Sequence, residues 1–364
     1  MIRAWSRSSL QRSSWIALVA AVLFGLSTPI AKGLLGVVSP QVLAGLFYLG
    51  AGIGLTSLRS ILQVGTVRKE TPLSRTDLPW LSGAVIFGGI VAPVLLLVGL
   101  EQIPASDASL LLNLEGVFTA TLAWVVFREN VGRRVGAGIG AILLGGVLLS
   151  WQPTATYVVL SGPLAIGAAC LCWAIDNNLT QRISAGDPRE VAAIKGLVAG
   201  MINVLLGFWF GGTLPSAPWT VAALAVGFFT YGLSLMFYVL ALRKLGTART
   251  GAYFSAAPFI GAFVGLVMWH DPVTPLFVVA SVAMGVGVWF LMSERHNHSH
   301  IHNAIVHSHR HIHDEHHQHR HVSLDPSGEP HSHRHEHEPI MHLHDHYPDI
   351  HHRHSHERQR TRTT

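Results

Sequence analysis

Residues Asp107–Arg134 read DASLLLNLEGVFTATLAWVVFRENVGRR. Its apolar run of about twenty residues is long enough to cross a hydrocarbon core ~30 Å thick. One carboxylate, Glu115, stands near the middle, and the run ends at Phe127-Arg128-Glu129-Asn130, with Arg133 and Arg134 just beyond. Half a chain later comes TGAYFSAAPFIGAFVGLVMWHDP, Thr250–Pro272. With a shift of 142 positions, Gly116 falls on Pro258, Thr119 on Gly261 and Glu129 on Asp271. A membrane helix that recurs half a chain later points to an internally duplicated carrier rather than an enzyme with an anchor.

Two compositions are joined near Met292. The first 292 residues are apolar and glycine-rich, with 17 of the 25 lysines and arginines and 10 of the 20 acids. The remaining 72 hold 23 of the 24 histidines and have no sustained apolar run. The basic excess therefore belongs to short loops between apolar segments and is not a nucleic-acid signal. Cys170 and Cys172, two apart in an apolar run, point to different helix faces and form neither a disulfide nor a metal pair. No phosphate loop, nucleophile elbow or zinc-hydrolase spacing appears, so an enzyme is not expected.

Ten spans fit the apolar part: about 13–34, 40–62, 78–100, 105–127, 133–151, 161–181, 189–210, 218–242, 248–269 and 274–292. Prolines punctuate the short loops between them. The expected organisation is a short N-terminus (1–12), a five-helix repeat (13–151), a second five-helix repeat (161–292) and a disordered tail (293–364). Basic residues cluster at the N-terminus (Arg3, Arg7, Arg12) and after spans 2, 4, 6 and 8, as in Arg68-Lys69 and Arg243-Lys244. The alternate loops have almost none beyond Lys32. That asymmetry predicts a multi-pass protein of the inner (plasma) membrane with both termini cytoplasmic. With five spans per half, the second half must enter the membrane in the opposite sense, so the fold class expected is all-α, two inverted five-helix repeats.

These stretches resemble the EamA family of the drug/metabolite transporter superfamily. The resemblance rests on Phe24-Gly25-Leu26-Ser27 with Pro29, Leu114 to Ala120, Phe127-Arg128-Glu129, Gly136 to Gly146 and Ala256-Ala257-Pro258-Phe259. It covers roughly residues 13–292. It departs from the family habit at Gly116, often Pro, at Phe47, often Arg, and at His270-Asp271, often Gly-Glu. The resemblance implies a cavity lined by spans 1, 3, 4, 6, 8 and 9. Ser27, Thr28, Trp173, Asn177 and Tyr231 then become candidate lining residues.

Charges within the bilayer core cost a few kcal/mol each, so each needs a reason. Glu115, with Asn113 nearby, lies close to the midplane of span 4, and the sequence shows no partner for it. Counting ~1.5 Å per residue, Asp176 in span 6 and Lys195 in span 7 sit ~7 Å and ~6 Å to the same side of their midpoints. Matched depth on neighbouring helices predicts an ion pair between them. Glu115 is the candidate for substrate binding or ion coupling. Gly132, Gly136 and Gly140, Gly196 and Gly200, and Gly261 and Gly265 repeat every four residues and are expected to pack helices closely. Pro29, Pro93 and Pro258 are expected to loosen their helices and free carbonyls.

The tail repeats H-x-H: His296, His298, His300 and His302; His307, His309, His311 and His313; then His316, His317, His319 and His321. The pattern resumes at His331, His333, His335 and His337, and again at His342, His344 and His346. Imidazole suits Zn²⁺, Ni²⁺ and Co²⁺, so divalent metal on the tail is expected, although no cofactor is required. Expected partners are the lipid bilayer, a small-molecule substrate and divalent ions at the tail, with a homodimer allowed and nucleic acid excluded. The leading reading is a secondary carrier, in the export direction, of a small metabolite by alternating access. Divalent-metal efflux and a membrane-tethered metal buffer are the alternatives.

Overall fold

The computed structural model describes residues 7–62, 75–127, 133–151, 160–183, 188–245, 250 and 253–292, and in the tail 299–302, 305–311, 331–337 and 340–343. Among these, helix occupies all ten predicted spans. Six helices are long and apolar enough to cross a membrane, and two shorter apolar ones stand at the fifth and ninth spans.

Several spans are not single α-helices, and prolines explain most of the interruptions. Span 1 is Arg7–Gly25 followed by Ser27–Leu35. Span 4 is Ala105–Leu111, a break at Leu112-Asn113, then Leu114–Phe127. Span 9 turns at Ser255-Ala256 before Ala257–Trp269. Span 3 runs Leu78–Ala84, then a π-helical segment Val85–Val91, then Ala92–Gln102. Span 8 has the same design: Ala217–Gly227, a π-helical segment Phe228–Leu233, and Ser234–Leu245. Spans 2 (Pro40–Leu62), 5 (Arg133–Ser150), 6 (Ser161–Arg182), 7 (Pro188–Trp209) and 10 (Pro275–Met292) are unbroken.

The spacing of 142 reappears in the backbone. Adding it to Val85–Val91 gives 227–233, where the second π-helical segment lies, and adding it to the break at 112–113 gives 254–255, beside the turn at 255–256. The packing obeys the same exchange. Span 2 lies on span 7, span 5 on span 10, span 4 on span 9, span 3 on span 6 and span 8 on span 1. Swapping each span with its counterpart five places on returns that set of neighbours unchanged. This is an inverted-repeat bundle.

Small residues set the closest contacts, as expected where lipid gives helices no hydrophobic drive to associate. A Cβ on Gly200 would stand 2.9 Å from the Gly45 carbonyl oxygen, and one on Gly196 would stand 2.7 Å from the Gly52 nitrogen. In span 9, Gly261 and Gly265 approach Ser109 and Ser106 to 2.8 and 2.7 Å in the same sense. Span 5 corrects the expectation. Gly136 and Gly140 face open space, and the contact with span 10 is made by Gly138, reciprocally with Gly287. Gly132 lies outside the described residues.

The tail, residues 293–364, is a separate unit. Within it, four strands form two antiparallel pairs. β1 (Ser299–His302) pairs with β4 (Ile340–Leu343), and β2 (Ile305–His311) pairs with β3 (His331–His337). Strict alternation of histidine with another residue is a period of two, the period of a strand. His296, His298, His313, His316, His317, His319, His321, His344 and His346 lie outside the described residues.

Candidate functional site

The site begins with what Pro93 removes. A proline has no N–H and its ring disturbs the carbonyl four residues earlier, here Gly89. Ala92 N–H bonds to Phe87 O, five residues back. The Gly88 carbonyl is thereby passed over, and its next donor would be Pro93. Two adjacent carbonyls in the middle of span 3 thus lose their usual α-helical partners, and side chains from three other spans supply replacements. Tyr48 Oη and Trp173 Nε1 donate to Gly88 O at 2.5 and 3.1 Å. Asn203 Nδ2 donates to Gly89 O at 2.9 Å. Buried polar groups in lipid must find such partners.

The missing Cβ at Gly88 makes room for a charge. A methyl there would stand 2.0 Å from Asp176 Oδ2. That oxygen accepts from Lys195 Nζ, forming the ion pair that matched depth predicts, while Asp176 Oδ1 accepts from Thr180 Oγ1 at 3.1 Å. Asp176 and Lys195 are both largely withdrawn from solvent, with side chains 7 % and 15 % exposed.

One residue further along span 6, Asn177 Nδ2 donates to Glu115 Oε1 at 2.8 Å. Glu115 therefore has a partner that the sequence reading did not find. Asn177 is exposed, Glu115 half-buried and Gly116 open to empty space on its Cβ side. Glu115 adjoins Gly116, and Asp176 of the ion pair immediately precedes Asn177 in span 6. Aromatic rings close the wall: Tyr231, in the π-helical segment of span 8, lies 5.6 Å from Tyr48, 5.7 Å from Phe47 and 6.0 Å from Phe24 between ring centroids. Trp173 is buried beside Asp176.

The other sequence candidates divide. Ser27 and Thr28 are buried just past the break in span 1. Asn113 is not a partner of Glu115. It donates to Leu110 O at 2.8 Å and reaches Met284 Sδ of span 10 at 4.0 Å, so it closes the break in span 4 locally. Lys32 caps the end of span 3, donating to Leu100 O, Ile103 O and Glu101 O at 2.5, 3.0 and 3.3 Å.

Lys32 belongs to a latch at one end of the bundle, the end away from the N-terminal arginines and the basic loops. There Ser106 donates through its N–H and its Oγ to Asp271 Oδ2 at 2.9 and 2.8 Å, tying span 4 to span 9. Trp269 Nε1 donates to Pro29 O at 2.8 Å, tying span 9 to span 1. His270, between these two, holds φ at 53°, a left-handed turn that ends span 9. At the basic end, Leu114–Phe127 packs chiefly on span 6. Sequence reasoning missed Tyr48, Ser106 and Asp271 as functional parts; for Tyr48, the signal available was Pro93 four residues after Gly89.

Among the described residues of the helices, no group of three or more histidine, cysteine or acidic side chains could hold a metal ion.

Comparison with known proteins agrees with the bundle. The EamA-like transporter family matches twice, over residues 12–151 and 160–293. An uncharacterized transporter of Methanothermobacter thermautotrophicus is 28 % identical over 80 % of this chain and 87 % of its own length. A probable amino-acid metabolite efflux pump of Salmonella typhimurium is 25 % identical over 77 % of this chain and 94 % of its own. A threonine/homoserine exporter of Escherichia coli K12 is 28 % identical over 45 % of this chain and 56 % of its own. A solved crystal structure, 19 % identical, superposes with a TM-score of 0.57 over 79 % of this chain and 97 % of that one, and shares the fold.

Proposed function

Because the chain belongs to the EamA-like transporter family and is a multi-pass membrane transporter rather than an enzyme, we propose that it exports a small zwitterionic metabolite of the amino-acid class by alternating access. The observation that carries this reading is the Asn177–Glu115 hydrogen bond within the membrane-spanning helices, beside a self-neutralised Asp176–Lys195 pair. A zwitterion needs one anion for its ammonium group and a hydrogen-bond donor for its carboxylate. Glu115 supplies the first and the Asn177 amide the second, and the neighbouring pair adds dipole without net charge. The two relatives named for amino-acid export support the substrate class and the direction.

Alternating access follows from the asymmetry between the ends. The Ser106–Asp271, Lys32 and Trp269 contacts close one end, and the basic loops lie at the other. Those loops face the cytoplasm by the distribution of arginine and lysine, and substrate enters from there. Tyr48, Trp173 and Asn203 hold the span 3 carbonyls, and Tyr231 covers the apolar side of the cavity. Metal export is the weaker reading, because the described helices offer no set of metal ligands.

The test is counterflow of radiolabelled threonine and homoserine in proteoliposomes. The native chain should transport at least one of them, and Glu115→Gln should cut the rate tenfold or more, since it keeps the shape and removes the anion. Wild-type rates in Glu115→Gln would remove Glu115 from the mechanism. Zn²⁺ or Ni²⁺ flux with no amino-acid flux would replace the substrate class.

A further inference from the structure

The strand register in the tail does more than bring histidines near one another. In the β2–β3 ladder His307 lies opposite His335, His309 opposite His333 and His311 opposite His331. Residues directly opposite in an antiparallel pair share a face, and so do residues two apart along a strand. These six histidines therefore occupy one face as three successive rungs. The positions between them are Val306 opposite Glu336, Ser308 opposite Arg334 and Arg310 opposite Ser332. The other face has no histidine. A slip of one residue in either direction would leave no histidine of one strand opposite a histidine of the other, so the pairing depends on this register.

We propose that this ladder face is a binding site for a borderline divalent cation, Ni²⁺ or Zn²⁺. Two neighbouring rungs place four imidazole-bearing positions at the corners of a rectangle roughly 5 Å across the strands and 7 Å along them. Such an ion takes three or four nitrogen ligands. The reading differs from general chelation by a histidine-rich chain, in which any imidazole can replace any other. Here position counts: a histidine on the right face contributes and one on the wrong face does not. The bound ion would in turn clip β2 to β3 across the 312–330 connection, because ligands from both strands are needed. The site is independent of the carrier function proposed for the helices and stands or falls without it.

The experiment uses the full-length protein in detergent and Ni²⁺ alone, with free metal set by competition against a chromophoric chelator. Three proteins are compared with the native chain. His309→Ala with His333→Ala removes the central rung. His316→Ala with His317→Ala removes as many imidazoles from outside the ladder. Ser308→His with His309→Ser leaves the composition unchanged and moves one imidazole to the opposite face. Expected is a loss of tenfold or more in affinity for the tightest Ni²⁺ equivalent in the first and third proteins, with the second unchanged. Equal losses in the first and second, or native affinity in the composition-preserving swap, would overturn the proposal. So would the absence of any tight equivalent in the native chain. The thermal transition of the helices, followed in parallel, should be the same in all four proteins.

Discussion

At the residue scale the decisive pair is Asp176 and Lys195. Each is held away from water and each is the other's counter-charge. Removing one partner from a buried pair costs about 3–5 kcal/mol, because the remaining charge has nothing to offset it. Asp176→Asn or Lys195→Met alone should therefore lower the detergent unfolding temperature markedly. The double variant should recover most of the loss, as it leaves no charge behind. Thermal unfolding of the four proteins makes a cycle, and additive losses in the double would show that the two side chains do not act as a unit. This pair was legible in the sequence, since depth along a helix is simple counting. Glu115 was legible as a mid-membrane carboxylate, but its partner was not. Asn177 and Glu115 meet because spans 4 and 6 pack together at one rotation, and rotation about a helix axis is fixed by the whole bundle. Asn113, two residues away in sequence, faces span 10 for the same reason.

Whole spans were easy to read, and their interiors were not. Twenty apolar residues announce a crossing whether or not the crossing is regular, so the ten spans emerged while the two π-helical segments did not. Pro93 marked where freed carbonyls would be. That three side chains from spans 2, 6 and 7 would take them required tertiary structure. Replacing Pro93 with Ala gives Gly89 O back a backbone donor and competes with Asn203. Regular helix is favoured by up to about 3 kcal/mol on exchanging an interior proline. Pro93→Ala is accordingly expected to raise the unfolding temperature and slow transport, since the segment would set as ordinary α-helix. Unaltered transport in a more stable protein would show the segment to be scaffold only. Glycine spacing misled in the opposite direction: the four-residue pattern at Gly136 and Gly140 is as regular as that at Gly196 and Gly200, but those two glycines face open space while Gly138 makes the contact with span 10.

For the molecule as a whole, the latch is the element that must come apart if the carrier alternates. Ser106, Asp271, Lys32 and Trp269 join spans 1, 3, 4 and 9 at one end. Ser106→Cys with Asp271→Cys, bridged by a short bifunctional thiol reagent after Cys170 and Cys172 are replaced by serine, should stop counterflow. A reductant that cleaves the bridge should restore it. Flux that persists across the bridge would mean that this end does not open during transport. The inverted arrangement itself was readable from the odd number of spans and the reversed basic flanks. The latch was not, because no local pattern connects Ser106 with a carboxylate 165 positions away.

The shared irregularity of spans 3 and 8 also has a history in it. Val85–Val91 and residues 227–233 keep the same π-helical form with only Phe87 and Phe229 identical between them. The form has outlived the residues. A detour of the backbone found at the same address in both halves is older than the joining of the halves, and belonged to an ancestor of five helices. That ancestor would have worked as two copies lying head to tail in the bilayer, some inserted one way and some the other. Fusion into one chain then released each copy from matching its twin, which is how Gly89 in one half came to correspond to Tyr231 in the other.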